Sequence, residues 1–311
     1  MKLAMVFPGQ GSQSVGMLAA YGDAPEVQEV LGIASEVLKQ DIGKLIAEGP
    51  AEELNRTVNT QPVMVTAGYA AYRVWQSLGG PEPEVVAGHS LGEYTALVVA
   101  GALKFEDALP LVRYRAQVMQ MAVPQGTGAM AAILGLDDDA VRTVCAEAAQ
   151  GEVVEAVNFN APAQVVIAGH TAAVTRAMEL ARQKGAKRAV ALPVSAPFHS
   201  SLLAPAAERL REYLANVTIQ APRIPVIHNF DVQSHADPAA IKNVLVQQAD
   251  HPVRWVETVR AMAEQGVTHI AECGPGKVLA PLCKRIADGV QSYALNDRAS
   301  IEQTIAALKE A

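Results

Sequence analysis

The stretch that decides the fold is Glu84-Val85-Val86-Ala87-Gly88-His89-Ser90-Leu91-Gly92-Glu93-Tyr94-Thr95-Ala96-Leu97-Val98-Val99-Ala100. Its first residues predict a buried strand that ends at Ala87, and its small and apolar last residues predict a helix. Between them, Gly88 to Gly92 match G-x-S-x-G, the pattern of a serine held at a sharp turn from strand to helix. Glycines on both sides remove the Cβ atoms that would collide in such a turn. This context favours Ser90 as a nucleophile over an ordinary Gly-Ser turn.

A nucleophilic serine that attacks a carbonyl needs hydrogen-bond donors for the oxyanion. The first N–H groups of a helix have no intrahelical acceptor, so the N–H of Leu91 is one candidate. A second candidate is the N–H of Gln10, in a glycine-rich turn that follows a predicted strand, Leu3–Phe7. Ser14 occupies the third glycine position of a dinucleotide fingerprint, which argues against a cofactor loop. An ordinary strand-to-helix turn is the alternative interpretation of this segment.

Composition limits the class of protein. The 311 residues are half hydrophobic, with 18% charged and 5% aromatic residues, which is typical of a large α/β protein. A net charge of −7 argues against nucleic acid or an anionic membrane as a partner. Three scattered cysteines without C-x-x-C spacing indicate neither disulfides nor a metal site. With no apolar stretch typical of a signal peptide or a membrane span, we expect a cytoplasmic protein.

The residues from about 126 to 194 form a distinct pattern of predicted elements. Their order is β-α-β-β-α-β, which is that of a ferredoxin-like unit. We therefore predict a large α/β-hydrolase-like domain with a parallel sheet, residues 1–125 and 195–311, and an inserted small ferredoxin-like subdomain, residues 126–194. Such an insertion would form one wall of a cleft above Ser90, and clefts between domains are common ligand sites.

One arginine interrupts an otherwise apolar helix face. In the helix predicted from Phe105 to about Ala122, the apolar stripe breaks at Arg115, whereas Arg113 lies off the stripe and is expected in solvent. A buried arginine needs an anion, so Arg115 either forms a structural ion pair with a buried acid or binds a substrate carboxylate through two parallel hydrogen bonds. Gln61 lies in the predicted first turn of another helix, where it either caps that helix or faces the site.

His199 is the candidate general base. It follows the predicted insertion in a proline-rich loop, and a serine nucleophile needs a base that is usually an imidazole. A hydrolase triad would place an acid between Ser90 and His199 in the sequence. The acids in that interval, such as Asp107 and Asp137, are typical of helix starts, so we expect no orienting carboxylate.

Together these motifs resemble the malonyl-CoA:acyl carrier protein transacylases of bacterial fatty acid synthesis, over essentially the whole chain. The residues that carry the resemblance are Phe7-Pro8-Gly9-Gln10-Gly11-Ser12-Gln13, Gly88-His89-Ser90-Leu91-Gly92-Glu93, Arg115, Phe198-His199 and Gly274-Pro275-Gly276. The sequence Ala196-Pro197-Phe198-His199 is similar to that of malonyl-selective members.

The resemblance implies a role for each candidate residue. It implies Ser90 as the acyl acceptor, His199 as its base and Arg115 as the residue that binds the substrate carboxylate. It implies Gln10 and Leu91 as oxyanion donors, and Gln248 as the residue whose main-chain carbonyl orients the histidine. It also implies malonyl-CoA and acyl carrier protein as partners, with no metal and no cofactor besides the coenzyme A substrate. We further expect a monomer with a basic patch near the cleft, for which Lys184, Lys187 and Arg188 are candidates.

Three alternatives remain open at this point. A serine esterase or thioesterase would use the same turn at Ser90 but would admit water to the site. A non-catalytic module that binds carrier protein would not need Ser90. A malonyl transferase of a polyketide or malonate decarboxylase system would share the chemistry and differ in its partner.

Overall fold

The computed structural model describes residues 1–311. Two β-sheets and thirteen α-helices make up the protein. The strands are β1 (Leu3–Phe7), β2 (Val85–Gly88), β3 (Gly128–Leu134), β4 (Val154–Ala161), β5 (Gln164–His170), β6 (Arg188–Ala191), β7 (Val226–Ile227), β8 (His269–Cys273) and β9 (Gln291–Leu295). The helices are α1 (Pro25–Leu38), α2 (Ile42–Glu48), α3 (Ala51–Leu54), α4 (Thr57–Ser77), α5 (Gly92–Val99), α6 (Phe105–Met121), α7 (Asp138–Ala149), α8 (Thr171–Gln183), α9 (Ala204–Leu214), α10 (Pro238–Ala249), α11 (Trp255–Glu264), α12 (Leu279–Ile286) and α13 (Arg298–Glu310).

The larger sheet is parallel and has the order β7-β2-β1-β8-β9. Its central strand β1 is buried along its whole length, as expected for a parallel strand covered on both faces. Met5 and Phe7 point into a core shared with α4, α5 and α6, whereas Ala4 and Val6 point into a second core with α11 and α12. β1 and β2 pair so that Phe7 aligns with Gly88. This register places the loop after β1 beside the turn that contains Ser90.

The smaller sheet is antiparallel, with the order β4-β5-β3-β6. Ala131 and Ile133 pack on one side against α7 and α8, while Met130 points to the other side. The connection β-α-β-β-α-β and this packing confirm the predicted ferredoxin-like unit and the α/β class. The bounds 126 and 194, as limits of a separate domain, stay a prediction.

The N-terminal part of α4 differs from its sequence-based prediction. The helix begins at Thr57, so Pro62 lies inside it instead of in its first turn. Proline lacks the N–H that would bond the carbonyl of Val58, and that carbonyl accepts a hydrogen bond from Nε of Arg113 at 3.4 Å instead. Arg113 also donates to Gln40 Oε1 at 2.6 Å. The expectation of a solvated Arg113 is therefore wrong, because the side chain is half-buried and links α4 to the end of α1.

None of the helices combines the length and the apolar character that crossing a membrane requires.

Candidate active site

Ser90 lies at a strained turn between β2 and α5. Its φ of +51° is in the left-handed region, which costs free energy for a residue with a Cβ atom. The flanking glycines permit the turn by close approach: a Cβ on Gly88 would lie 1.9 Å from the carbonyl carbon of Gly92, and one on Gly92 would lie 2.1 Å from the carbonyl oxygen of Phe7. The turn therefore has the geometry of a nucleophile elbow, as the sequence predicted.

The hydroxyl of Ser90 contacts His199. Ser90 Oγ and His199 Nε2 are 2.6 Å apart, and His199 Nδ1 lies 2.8 Å from the main-chain oxygen of Gln248. A carbonyl oxygen only accepts hydrogen bonds, so Nδ1 carries the proton and Nε2 is free to accept the proton of Ser90. The position of a triad carboxylate is thus occupied by a backbone carbonyl.

His199 is held in its neutral form. Burial, as the larger cause, and the positive charge of Arg115 together lower the pKa of His199 to about 3. Only 2% of the residue is exposed. A neutral imidazole with an unprotonated Nε2 can act as a general base toward Ser90 at neutral pH.

Arg115 is a buried cation beside Ser90. Its Nη2 donates to Ser90 Oγ at 3.1 Å and to Gln248 Oε1 at 2.9 Å, and its Nη1 donates to Gln61 Oε1 at 2.7 Å. Its Nε–H is buried without a hydrogen-bond partner. These protein acceptors are neutral, and Arg115 makes no salt bridge; the nearby carboxylate of Glu93 instead accepts the N–H of Asn229 at 2.6 Å. The structural ion pair considered from the sequence is therefore absent.

Gln61 and Gln248 do more than the sequence suggested. Gln61 is buried and contacts the guanidinium of Arg115, so it faces the site and does not serve as a cap. The side chain of Gln248 also accepts from Arg115, and its Nε2 donates to the main-chain oxygen of Ser90 at 2.9 Å. Gln248 thus contacts Ser90, His199 and Arg115 at once.

The two predicted oxyanion donors are available. The backbone N–H groups of Gln10 and Leu91 have no acceptor within the protein. Both residues line the same cavity as Ser90, and the N–H of His89 donates to the carbonyl of Phe7 at 3.0 Å, which ties the elbow to the end of β1. Two unpaired N–H groups near one nucleophile can stabilise a tetrahedral oxyanion.

The cavity above Ser90 has a volume of about 130 Å³. Its floor is formed by the elbow, and its far wall by Met130, Asn158 and Leu192 from the smaller sheet and the residue that follows it. Phe198 and Val194 separate it from a wider groove of about 560 Å³ and line both. The site therefore lies between the two sheets, and the smaller sheet forms one wall of the cleft above Ser90, as expected from the sequence.

Asn229 is a site residue that the sequence analysis missed. Its Oδ1 accepts the N–H of Ser90 at 2.8 Å, and its Nδ2 donates to the carbonyl of Gly88 at 2.7 Å. The available signal was its position: it follows β7, and β7 neighbours β2, so both strands end at the same edge of the parallel sheet. Lys184, in contrast, lies outside both cavities and pairs with Glu147, so the predicted basic patch stays a prediction.

Known proteins share both the sequence and this architecture. Residues 4–302 match the family described as acyl transferase domain. The chain is 54% identical over 297 residues to the malonyl CoA-acyl carrier protein transacylase of Escherichia coli strain K12, which covers 95% of this chain and 96% of that protein.

Two solved structures have nearly the same fold. An acyl-carrier-protein S-malonyltransferase from Burkholderia pseudomallei 1710b has a TM-score of 0.97 and 65% identity, and covers 98% of this chain and 100% of that chain. A malonyl-transacylase in complex with its type II PKS acyl-carrier protein has a TM-score of 0.97 and 48% identity, and covers 100% of both chains.

Proposed function

Because the chain belongs to the acyl transferase domain family, and within it to the malonyl CoA-acyl carrier protein transacylases, we propose that Ser90 carries a malonyl group from malonyl-CoA to the thiol of an acyl carrier protein. The observation that best supports this proposal is the environment of Arg115. This residue is a buried cation without an anionic partner, 3.1 Å from the oxygen of the nucleophile. A carboxylated acyl group supplies the missing anion.

The first half-reaction forms an ester on Ser90. His199 Nε2 takes the proton of Ser90 Oγ as the oxygen attacks the thioester carbonyl of malonyl-CoA. The N–H groups of Gln10 and Leu91 stabilise the oxyanion of the tetrahedral intermediate. The C–S bond then breaks, and His199 returns its proton to the sulfur, so that coenzyme A leaves as a thiol.

The second half-reaction reverses these steps with a different thiol. The phosphopantetheine thiol of the carrier protein gives its proton to His199 Nε2 and attacks the malonyl ester. The ester C–O bond breaks, and Ser90 Oγ recovers a proton from His199. No net charge or redox change occurs, since one thioester replaces another.

Gln248 supports both halves as a positioning residue. Its main-chain carbonyl holds the Nδ1–H of His199, which keeps Nε2 directed at Ser90. Gln61 and the Gln248 side chain hold the guanidinium of Arg115. An acetyl group would leave this buried charge unpaired, at a cost on the order of a few kcal/mol.

We assign this reaction to fatty acid biosynthesis, with a monomer acting in the cytoplasm. The three cysteines of the protein are free thiols, which is consistent with a reducing compartment. A polyketide carrier protein is a second candidate acceptor, because one structural relative was solved with a type II PKS acyl-carrier protein. Steady-state transfer to purified carrier proteins of both kinds distinguishes the two.

The intact mass of the protein after brief incubation with malonyl-CoA or acetyl-CoA tests the proposal. We expect a malonyl adduct on the wild type and none on Ser90→Ala. We also expect little acetyl adduct on the wild type. In Arg115→Ala, we expect the ratio of malonylation to acetylation to fall about a hundredfold, because the buried charge that distinguishes the two acyl groups is gone.

A malonyl adduct that persists on Ser90→Ala would rule out the nucleophile. Equal acylation of the wild type by both thioesters would rule out the role of Arg115. Rapid release of free malonate without carrier protein would favour the thioesterase alternative.

A further inference from the structure

A chain of hydrogen bonds joins Arg115 to the loop that carries Gln10. Arg115 Nη1 donates to Gln61 Oε1 at 2.7 Å, Gln61 Nε2 donates to Thr57 Oγ1 at 3.1 Å, and Thr57 Oγ1 donates to Gln10 Oε1 at 2.9 Å. The proposed mechanism uses both ends of this chain and gives no role to Thr57.

The directions of the first two bonds in this chain follow from Arg115. A guanidinium has donors and no acceptor, so it fixes the amide oxygen of Gln61 toward itself and the amide nitrogen toward Thr57. The hydroxyl oxygen of Thr57 is then an acceptor from Gln61, and its only proton is directed to Gln10. Reversing the Gln61 amide would turn its NH2 group toward the guanidinium, so that two donors would face each other.

The backbone explains why Thr57 can make this link. Thr57 and Gln61 are four residues apart at the start of α4 and therefore lie on the same face of the helix. Thr57 is 8% exposed and Gln61 is 2% exposed, so the bond between them is shielded from water, whereas the bond from Thr57 to Gln10 lies at the edge of the wider groove. Gln10 lies outside any helix or strand, so no helical or sheet hydrogen bond fixes its backbone N–H.

A second contact ties the same loop to the same region. Gln13 Oε1 accepts the N–H of Gly11 at 2.7 Å, and Gln13 Nε2 donates to Asn55 Oδ1 at 2.9 Å. This contact is exposed and does not lead to Arg115. The Thr57 contact is thus the one that connects the loop to the interior of the site.

We propose that Thr57 is a positioning residue that couples the carboxylate clamp at Arg115 to the oxyanion donor at Gln10. The inference rests on the proposed function, in which a substrate carboxylate binds Arg115 and the N–H of Gln10 stabilises the oxyanion. A carboxylate paired with Arg115 holds the guanidinium in the orientation that this chain of bonds requires, so a malonyl group keeps the Gln10 donor in place during attack and an acetyl group does not. Discrimination then appears in the rate of acylation as well as in binding.

The test is the single-turnover rate of Ser90 acylation, followed by quenched-flow mass measurement, with malonyl-CoA and acetyl-CoA. Thr57→Val removes the hydroxyl at nearly constant shape. We expect the malonylation rate at saturating malonyl-CoA to fall about tenfold, the worth of one hydrogen bond in the transition state. The half-saturating concentration stays within about twofold, and the acetylation rate changes less than the malonylation rate.

Two further variants separate coupling from structural damage. Thr57→Ser keeps the hydroxyl and is expected to restore the rate. Thr60→Val removes a hydroxyl from the same turn of α4 that bonds only main-chain oxygens of Leu54 and Arg56, and it is expected to leave both acylation rates unchanged. Gln61→Leu breaks the chain one bond earlier. The double variant with Thr57→Val should therefore be malonylated no more slowly than Gln61→Leu alone.

If Thr57→Val slows malonylation and acetylation equally, the coupling is overturned. A wild-type malonylation rate in Thr57→Val would overturn it as well. So would effects of Thr57→Val and Gln61→Leu that multiply in the double variant. Ser90→Ala in the same experiment keeps the two proposals apart. If the wild type forms no adduct on Ser90, the proposed function fails; if it does and Thr57→Val behaves like the wild type, only the coupling fails.

Discussion

Ser90 Oγ lies within hydrogen-bond distance of both a base and a cation, His199 Nε2 and Arg115 Nη2. The charge of Arg115 affects both the histidine and the serine. The charge of Arg115 keeps His199 neutral, so that it can accept a proton. In the proposed reaction, the same charge stabilises negative charge that develops on the serine oxygen during attack.

The pH dependence of malonylation follows from this arrangement. A histidine with the ordinary pKa of 6.5 would be only about 3% neutral at pH 5, and acylation would fall roughly thirtyfold. Because burial and Arg115 lower the pKa of His199 to about 3, we expect the single-turnover malonylation rate to stay within about twofold between pH 8 and pH 5. A decline with a midpoint near pH 6.5 would contradict this assignment.

The malonyl enzyme should titrate differently from the free enzyme. The carboxylate that pairs with Arg115 cancels the second-largest cause of the low His199 pKa. We expect the acid limb for transfer from preformed malonyl enzyme to lie at higher pH than that for malonylation at subsaturating malonyl-CoA, which reports the free enzyme. The rate of malonyl transfer to a pantetheine thiol, measured from pH 4 to pH 8, shows the direction of this shift. An acid limb at the same pH as that of malonylation, or at a lower pH, would mean that the carboxylate does not neutralise Arg115.

At the scale of elements, the strained turn between β2 and α5 depends on the loop after β7. Asn229 bonds the main chain on both sides of the turn, at Ser90 N and Gly88 O. Its own N–H donates to the carboxylate of Glu93 in α5. Buried backbone groups without partners are costly, so these contacts offset the unfavourable φ of Ser90.

Asn229→Ala is expected to remove the side-chain bonds to Ser90 N and Gly88 O, together with the bond that Oδ1 accepts from Gln248 Nε2 at 3.2 Å. We expect the free energy of unfolding to fall by about 2 to 4 kcal/mol and malonylation to slow by about tenfold or more, since the elbow loses its support. Denaturant unfolding and single-turnover malonylation measure the two effects. The matched control, Asn216→Ala on an exposed position, should change neither. Normal malonylation by Asn229→Ala would show that the elbow keeps its shape alone.

At the scale of the whole molecule, the smaller sheet is fastened to the rest of the protein by main-chain bonds. Val253, just before α11, donates its N–H to Val157 O at 2.8 Å and accepts from Phe159 N at 3.1 Å, both in β4. Asn158, between these residues, lines the active-site cavity. The position of the cavity wall therefore depends on this short pairing.

Val253→Pro removes the donated N–H and is expected to loosen the smaller sheet. We expect faster hydrogen exchange at the amide of Phe159 and a hydrolysis rate of the malonyl enzyme raised severalfold, because water gains access to the ester. Val253→Ala trims the side chain and keeps the N–H, so exchange at Phe159 should stay slow in that variant. Unchanged exchange in Val253→Pro would mean that other contacts hold the wall.

The sequence by itself determined the features that depend on local order. The elbow around Ser90, the first strand and the β-α-β-β-α-β order are local patterns, and the stripe broken by Arg115 marks a buried cation within a single helix. His199 needed one further argument, that a serine nucleophile requires a base. Gln248 followed only from resemblance, since nothing in its own neighbourhood distinguishes it.

Only the tertiary structure decided which groups meet. Asn229 and Thr57 are ordinary polar residues in sequence, and their roles arise because β7 neighbours β2 and because α4 passes beside the loop after β1. The structural ion pair at Arg115 likewise could be excluded only from the structure, in which its guanidinium hydrogen-bonds to Gln61, Ser90 and Gln248 and to no carboxylate. Such contacts join residues tens to more than a hundred positions apart, so their partners are set by packing in three dimensions, which no local pattern records.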